Sequence, residues 1–395
     1  MPGQLVELDV QNFRSLRDVA IPLGRLNVLV GPNGAGKTNV LEVFRFLADV
    51  IRLDLEPALR VHGGFDQILF GGGPAPCADL GIALTVANSS RGSDRYALRL
   101  DQIKGPKFRR SESFEFHSDG HPPRAITLDD TSLVATGIGD NRINVERLTS
   151  GLSTIPRLGE EFGRAEVGAL SRRLESVRFF DIDVSKALLP SGVPGDEPVA
   201  LAADAGNLAG FLLALSKSDR ESWELLVEDA RNVLPQLDDI DFEFPSGAGR
   251  EVIVTLKERG LRRPTPLVNA SYGTIRLLSL LALVYDTNPP ALTCIEEVDH
   301  RLHPQALELL VARLREASAR TQFLVATHSP TLADRLRPEE LIICERRDDG
   351  SSAILAEVNG CRQINPLRTS RDGTSQGADR GRGARSPASA GLRCG

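Results

Sequence analysis

Apolar and polar positions along the chain change period several times, and each change predicts an element. Residues 4–10 and 26–30 (LNVLV) are short apolar runs that predict strands, the second leading straight into a glycine-rich stretch. Beyond it Val40, Leu41, Phe44, Leu47, Ala48 and Ile51 recur at i, i+3, i+4 spacing, the stripe of an amphipathic helix. Residues 61–75 are rich in glycine and predict loop. From about 80 to 130, short alternating runs (IALTVA, YALRL, FEFH) broken by Gly, Ser, Asp and Pro predict an antiparallel meander. Residues 160–236 predict mostly helix, most clearly over 207–215 and 223–234, and EVIVTL (251–256) predicts a strand. A second α/β block follows: helix 275–285, buried strand 291–295, helix 305–319, strand 322–326, and a closing pair at 341–345 and 353–358. There are no internal repeats, and no heptads run long enough for a coiled coil.

Composition narrows the class without changing these elements. The chain has 395 residues, 41% apolar and 25% charged, which suits a globular protein of several subdomains. No run of 18 apolar residues exists to span a membrane, and the start lacks the basic-then-apolar pattern of a secretory signal, so the cytoplasm is the expected location. Five scattered cysteines show neither metal spacing nor an even count for disulfides. The net charge of −6 is uneven: residues 361–395 hold seven Arg against two Asp, a balance of +5, which leaves −11 for residues 1–360. An acidic body argues against indiscriminate nucleic-acid binding through net charge and leaves room for a local basic groove. The tail from Cys361 onward, poor in apolar residues, is expected to be disordered.

Four segments carry candidate chemistry. Gly31–Thr38 (GPNGAGKT) sits between a predicted strand and a predicted helix, the context of a phosphate-binding loop. Its glycines, Gly34 and Gly36 among them, free the backbone to turn N–H groups inward, with Asn33 and Ala35 completing the cradle. Lys37 supplies charge for the β and γ phosphates of ATP, Thr38 a hydroxyl for Mg²⁺, and the helix N-terminus favours the anion. Cys294-Ile295-Glu296-Glu297 ends an apolar strand, where parallel sheets place ligand-binding groups. There Glu296 is assigned to Mg²⁺ and Glu297 to the attacking water as general base. Thr327-His328-Ser329 follows the next strand; His328 is either a structural hydrogen-bonder or a group that senses the γ-phosphate. Ser271-Tyr272-Gly273-Thr274 opens a helix, and taken alone is an N-cap with a flexible glycine.

Together these segments resemble the ATPase heads of the ABC superfamily, in the RecF/SMC-like branch that includes the AAA_21 and OLD-like ATPases. LDVQNFRSLRDVAIPLGRLNVLVGPNGAGKTNVLE looks like that branch's opening, SYGTIRLLSLLALV like its signature turn, IEEVDHRLHP like Walker B with the D-loop, and FLVATHSP like the switch-histidine strand. The resemblance covers roughly residues 1–85 and 200–350. It implies an α/β P-loop NTPase fold, an ABC-ATPase-type head with a mixed sheet, an antiparallel β insertion and a helical lobe. It implies that Arg14 reaches the nucleotide and that Gln67 is the glutamine-loop ligand for Mg²⁺. Ser271 and Gly273 of one subunit would close on the γ-phosphate held by another in a head-to-tail homodimer formed on ATP binding. Tyr272 stands where transporter heads have Gly, and Val298 where Pro usually follows the Glu pair; neither removes a group the chemistry needs.

The expected division of the chain is 1–80 for the N-terminal part of the core, 81–150 for the β insertion, 151–245 for the helical lobe, 246–360 for the C-terminal part of the core and 361–395 for the tail. About 65 residues follow His328, so the metal-binding TOPRIM nuclease domain of OLD proteins is not expected. Two functions follow: an ATPase acting on DNA in repair or in defence against foreign DNA, or an ATP-driven switch that controls a partner effector, such as a nuclease or toxin encoded nearby. A transporter subunit fits poorly, because Lys37 and Ser271 lie 234 residues apart, far wider than in transporter heads.

Overall fold

The computed structural model describes residues 3–363 apart from 88–91, 105–106, 118–123, 137–140, 147–148, 196–197, 246–249 and 359–360, and Met1–Gln363 forms one compact unit. The Arg-rich tail expected to be disordered lies outside the described residues from 364 onward.

A hairpin of β1 (Leu5–Phe13) and β2 (Leu16–Pro22) leads into β3 (Leu26–Val30), the glycine loop and α1 (Lys37–Leu53). Two short helices follow, α2 (Leu55–Val61) and α3 (Phe65–Ile68), the second inside the 61–75 stretch expected to be loop. Strands β4 (Asp79–Ala87), β5 (Ser93–Lys104), β6 (Lys107–Phe116), β7 (Arg124–Asp129), β8 (Ser132–Thr136) and β9 (Asn141–Asn144) form the expected meander and extend it. The chain then runs through α4 (Gly151–Thr154), α5 (Arg164–Glu175), β10 (Arg178–Phe180), α6 (Val184–Ala187), β11 (Ser191–Gly192), α7 (Leu208–Ser218) and α8 (Arg220–Val233). After β12 (Leu237–Glu243), β13 (Glu251–Glu258) and β14 (Thr265–Pro266) come α9 (Tyr272–Val284), β15 (Leu292–Ile295), α10 (Pro304–Ala317), β16 (Gln322–Thr327) and α11 (Pro330–Ala333). The last strands are β17 (Leu341–Arg346), β18 (Ser352–Val358) and β19 (Cys361–Gln363).

The central sheet is mixed, in the order β10-β15-β16-β3-β17-β18-β19, parallel as far as β17 and antiparallel beyond. β15 and β16 are buried along their whole length, as strands covered on both faces must be. Their side chains alternate between two cores. Cys294, Leu324 and Ala326 pack with α1 and the meander, while Ile295, Phe323 and Val325 pack with α7 to α10. The hydrophobic effect therefore clamps the sheet from both sides.

The second sheet is antiparallel throughout, in the order β2-β1-β4-β5-β6-β7-β8-β9. The opening hairpin and the meander are thus one sheet. A buried amide helps tie that sheet to the central one. The Gln322 side chain accepts from the Leu5 N–H at 2.8 Å and donates to the carbonyls of Leu5 and Gly24 at 2.8 and 2.9 Å, replacing ladder bonds that β1 and β16 lack between them. β11, β12, β13 and β14 make a small third sheet beside α7 and α8.

Inside the meander a charged pair is sealed from water. Arg110 and Glu112 are both fully buried, 3.6 Å apart. The guanidinium donates to the carbonyls of Thr149 and Asp130, while Glu112 accepts from the Tyr96 hydroxyl, the Ser150 hydroxyl and the Gly151 N–H. Burial pushes the Glu112 carboxyl above its ordinary range, and the Arg110 charge and these donors oppose that shift. Removing one partner strands the other. Arg110→Met is expected to lower the unfolding free energy by about 3–5 kcal/mol in urea titrations; a loss below about 1 kcal/mol would show that Glu112 is held by its hydrogen bonds alone.

Candidate functional site

Parallel register brings the expected chemistry to one sheet edge. Ile295 pairs with Val325 across β15 and β16, and Thr327 pairs with Val30 across β16 and β3. The residues just past those strand ends, the Glu pair, His328 and the glycine loop, therefore meet in one cleft, as the strand ends of an α/β sheet dictate. A cavity of about 210 Å³ lies there, lined by Asn33, Gly34, Gly36, Lys37, Thr38, Asn39, Glu296, Glu297, Ala326, Thr327, His328 and Arg346.

The loop is shaped for an anion. Gly36 has φ 101° and caps α1, and an added Cβ there would run into the hydroxyls of Ser352 and Ser15, so the position excludes other residues. Ala35 is buried beneath the loop, its N–H bonded to the Pro32 carbonyl at 3.2 Å. No side chain caps α1 and its first turn holds no acid, so the free N–H groups and the positive helix end face the cavity. Lys37 Nζ donates to the carbonyls of Gly31 and Pro32 at 2.7 and 2.9 Å, folded back onto the loop it would serve. These features fit a polyphosphate.

Across the cavity, Glu296 is half-buried. Burial raises its pKa most, opposed by the nearby Arg45 charge and reinforced by Asp181, Glu42 and Glu297. A carboxylate that resists ionisation fits one that a divalent cation would neutralise. Among the described residues no cluster of three His, Cys, Asp or Glu side chains could hold a metal alone. The donors present, Glu296 and the Thr38 hydroxyl, suit Mg²⁺, which is commonly completed by phosphate oxygens and water. Glu297 is exposed, with the left-handed φ of 47°, and His300 Nδ1 stands 3.8 Å from its carboxylate. His328 is also exposed at the rim. Beside it, the Thr327 hydroxyl donates to Asp299 and accepts from the Ser329 N–H at 3.0 Å, which fixes the turn carrying the histidine.

Five expected residues lie outside the cavity lining, the first being Ala35, buried beneath the loop. Arg14 (φ 49°) pairs with Glu42 of α1 at 3.1 Å and lines a separate groove with Arg45, Asp49 and His62. Gln67 is exposed on α3, after the Gly63–Gly64 turn. Ser271 is exposed and caps α9, accepting from the Thr274 N–H at 3.1 Å, with Gly273 beside it. Sequence reasoning missed Arg346. It ends β17, on the side of β3 away from the Glu pair, and donates to the Gly34 carbonyl at 3.1 Å. Its only sequence signal was a cation at the end of a strand, a feature shared with many surface positions.

The family profile described as "AAA domain, putative AbiEii toxin, Type IV TA system" (AAA_21) matches residues 26–334, more than half of the chain, and the protein belongs to that family. The OLD nuclease of Thermus scotoductus is 48% identical over 56 residues, 14% of this chain and 10% of that protein. The DNA replication and repair protein RecF of Brucella abortus (strain 2308) is 34% identical over 76 residues, 16% of this chain and 20% of that protein. RecF of Anaeromyxobacter sp. (strain K) is 32% identical over 149 residues, 36% of this chain and 37% of that protein. The chain thus spans between a tenth and under two fifths of these curated relatives. Among solved structures, an Smc head bound to the C-winged helix domain of ScpA aligns with TM-score 0.54 at 15% identity, covering 90% of this chain and 98% of that one. The Smc head domain with an extended coiled coil from Pyrococcus furiosus, bound to the C-terminal domain of ScpA, gives 0.51 at 15% identity, covering 90% and 96%. At that identity the likeness shows the fold alone: α/β, of the P-loop ATPase head type.

Arg346→Ala is expected to weaken ATP binding about tenfold, as loss of one charge-assisted contact at an exposed site would, with thermal unfolding unchanged. Titration with a fluorescent ATP analogue measures this, and wild-type affinity would remove Arg346 from the site.

Proposed function

We propose that this chain, a member of the AAA_21 family and an ABC-type ATPase head of the RecF/SMC-like branch, binds ATP with Mg²⁺ in the cavity at the ends of β3, β15 and β16 and hydrolyses it. The observation that carries the reading is the meeting of the phosphate loop, the Glu pair and His328 in one cleft through parallel strand register. The loop amides and Lys37 would hold the phosphates, with Asn33 at the rim and Thr38 and Glu296 holding the cation. Bound there, Mg²⁺ would neutralise charge on the β and γ oxygens. Glu297 would take the proton of the attacking water, and its exposure leaves the carboxylate free to turn toward the cavity. His328 would donate to the γ-phosphate and register its loss. Arg14, paired with Glu42, and Gln67, on α3, do not line this cavity, and a nucleotide role for them is proposed on the family resemblance alone.

Ser271 and Gly273 lie apart from the cavity of their own chain, on an exposed turn. Their proposed role is to close on the nucleotide of a second copy in a head-to-tail homodimer that ATP assembles and hydrolysis releases. The proposed coupling is to DNA, in repair or in defence against foreign DNA. It rests on similarity to RecF and OLD nuclease over part of their length and on a family description that refers to toxin–antitoxin systems. The acidic balance of residues 1–360 favours a second reading, an ATP-driven switch that holds a partner effector without touching DNA. No described helix is long and apolar enough to cross a membrane, and we place either activity in the cytoplasm.

Glu297→Gln is expected to bind ATP, turn over at least about 100-fold more slowly and accumulate as an ATP-bound dimer in light scattering. Normal turnover would sink the assignment. Duplex or single-stranded DNA at moderate salt is expected to raise the wild-type rate, with the effect fading as salt rises. A rate that ignores DNA under every condition would favour the switch.

A further inference from the structure

A buried guanidinium links the signature turn to the Glu pair. Arg276 lies on α9, five residues past Ser271, and is only 4% exposed. Its Nη2 donates to the main-chain carbonyl of Glu297 at 2.5 Å and its Nη1 to that of Ile182 at 3.5 Å, while Nε has no partner. No carboxylate forms a salt bridge with it among the described residues. Burial pulls its pKa down, against the pull of Tyr272, Glu297, Asp181 and Asp299. Sealing a cation away from water without a paired carboxylate is costly. A leucine would fill such a place more cheaply, so the contact it makes is informative.

That contact lands on strained backbone. Glu297 and Arg301 both hold left-handed φ, 47° and 57°, a conformation disfavoured for residues with a side chain. The Glu297 carbonyl also accepts from the His300 N–H at 3.0 Å, so Arg276 braces from outside a turn that closes on itself. The same turn meets the start of α9 twice more. A Cβ on Gly273 would stand 3.0 Å from the Arg301 carbonyl, and the Arg301 guanidinium lies 4.4 Å over the Tyr272 ring. The start of α9 and the Glu297–Arg301 turn are therefore in contact at three points.

We infer that Arg276 is a positioning residue, which locks the backbone of Glu297 to the first turns of α9 so that engagement of Ser271 and Gly273 sets how the Glu297 carboxylate faces the cavity. The inference rests on the reading of Glu297 as the base. In a head-to-tail pair the Ser271 turn of one chain meets the nucleotide held by the other, while Glu297 serves its own cavity. Arg276, with the Gly273 and Tyr272 contacts beside it, thus links the state of one nucleotide site to the other.

The test uses the full chain with two variants. Arg276→Met keeps the apolar stem and removes the donors, and Arg276→Lys keeps a charge able to reach one carbonyl. Rates are taken per bound nucleotide, measured with a fluorescent ATP analogue, so that a loss of folded protein does not count. Arg276→Met is expected to bind ATP within about threefold of wild type yet turn over about 100-fold more slowly, the scale of a displaced catalytic group. A wild-type Hill coefficient above 1 should fall to 1, and Arg276→Lys should recover about tenfold of the lost rate. Turnover per bound nucleotide within twofold of wild type, or an unchanged Hill coefficient, would overturn the inference. If Arg276→Met does not fold, Arg276→Lys decides, with a fivefold or greater slowing at unchanged ATP affinity expected and a wild-type rate contradicting. A wild-type chain that binds ATP without turning it over, or turnover indifferent to Glu297→Gln, would instead defeat the proposed function. Normal dependence on Glu297 with indifferent Arg276 variants would defeat the Arg276 inference alone.

Discussion

The parallel alignment of β15, β16 and β3 is the constraint on which the rest of the molecule depends. Each strand ends at a candidate site segment; the pairing of Thr327 with Val30 sets the ends of β16 and β3 level, and the pairing of Ile295 with Val325 sets the end of β15 two residues before that of β16. Slipping any strand by one residue would invert its side chains between the two cores, moving Cys294 and Leu324 into the space of Ile295 and Val325. Apolar burial on both faces therefore holds the register, and the register holds the cleft. Side chains around the cavity need little support of their own. Lys37 rests on two loop carbonyls and His328 stands exposed on a turn pinned by Thr327.

The two cores also divide the labour. The face toward α1 and the meander carries the glycine loop, and the face toward α7 to α10 carries the exposed turn at Ser271. Between them lies the Glu297–Arg301 turn, with its left-handed residues and the buried guanidinium of Arg276. Strain of this kind persists only where the surroundings over-determine it. Here a hydrogen bond, a close glycine and a ring contact do so together. In the proposed head-to-tail pair, a rigid link of this kind would pass on contact at Ser271 that a loose one would absorb.

Much of the fold was legible in local pattern. The i, i+3, i+4 stripe from Val40 to Ile51 became α1, and the apolar runs before Glu296 and Thr327 became fully buried strands, because a strand covered on both faces has no polar side to confuse its reading. The residues brought into the cleft were those whose chemistry sits directly on a strand end. What was illegible depends on distant partners. The short helix α3 hid among the glycines of 61–75, since Gly63 and Gly64 precede it as they would a loop. Nothing local says that β1 pairs with β4, or that Gln322 bridges β1 to β16. Arg346 was invisible for the same reason, as β17 approaches the loop only after pairing with β3. Arg14, expected at the nucleotide by resemblance, sits in an ion pair with Glu42 that no spacing rule foretells.

In the proposed function one chain holds most of the hydrolytic site and a second copy completes it. Turnover per chain measured against protein concentration, with molecular mass followed in the same ATP-containing samples, tests this most directly. The account predicts a rate per chain that climbs as dimer mass appears and levels off when dimerisation is complete, since the Ser271 turn lies outside the cavity of its own chain. Full, concentration-independent turnover by chains that remain monomeric with ATP and Mg²⁺ would contradict it.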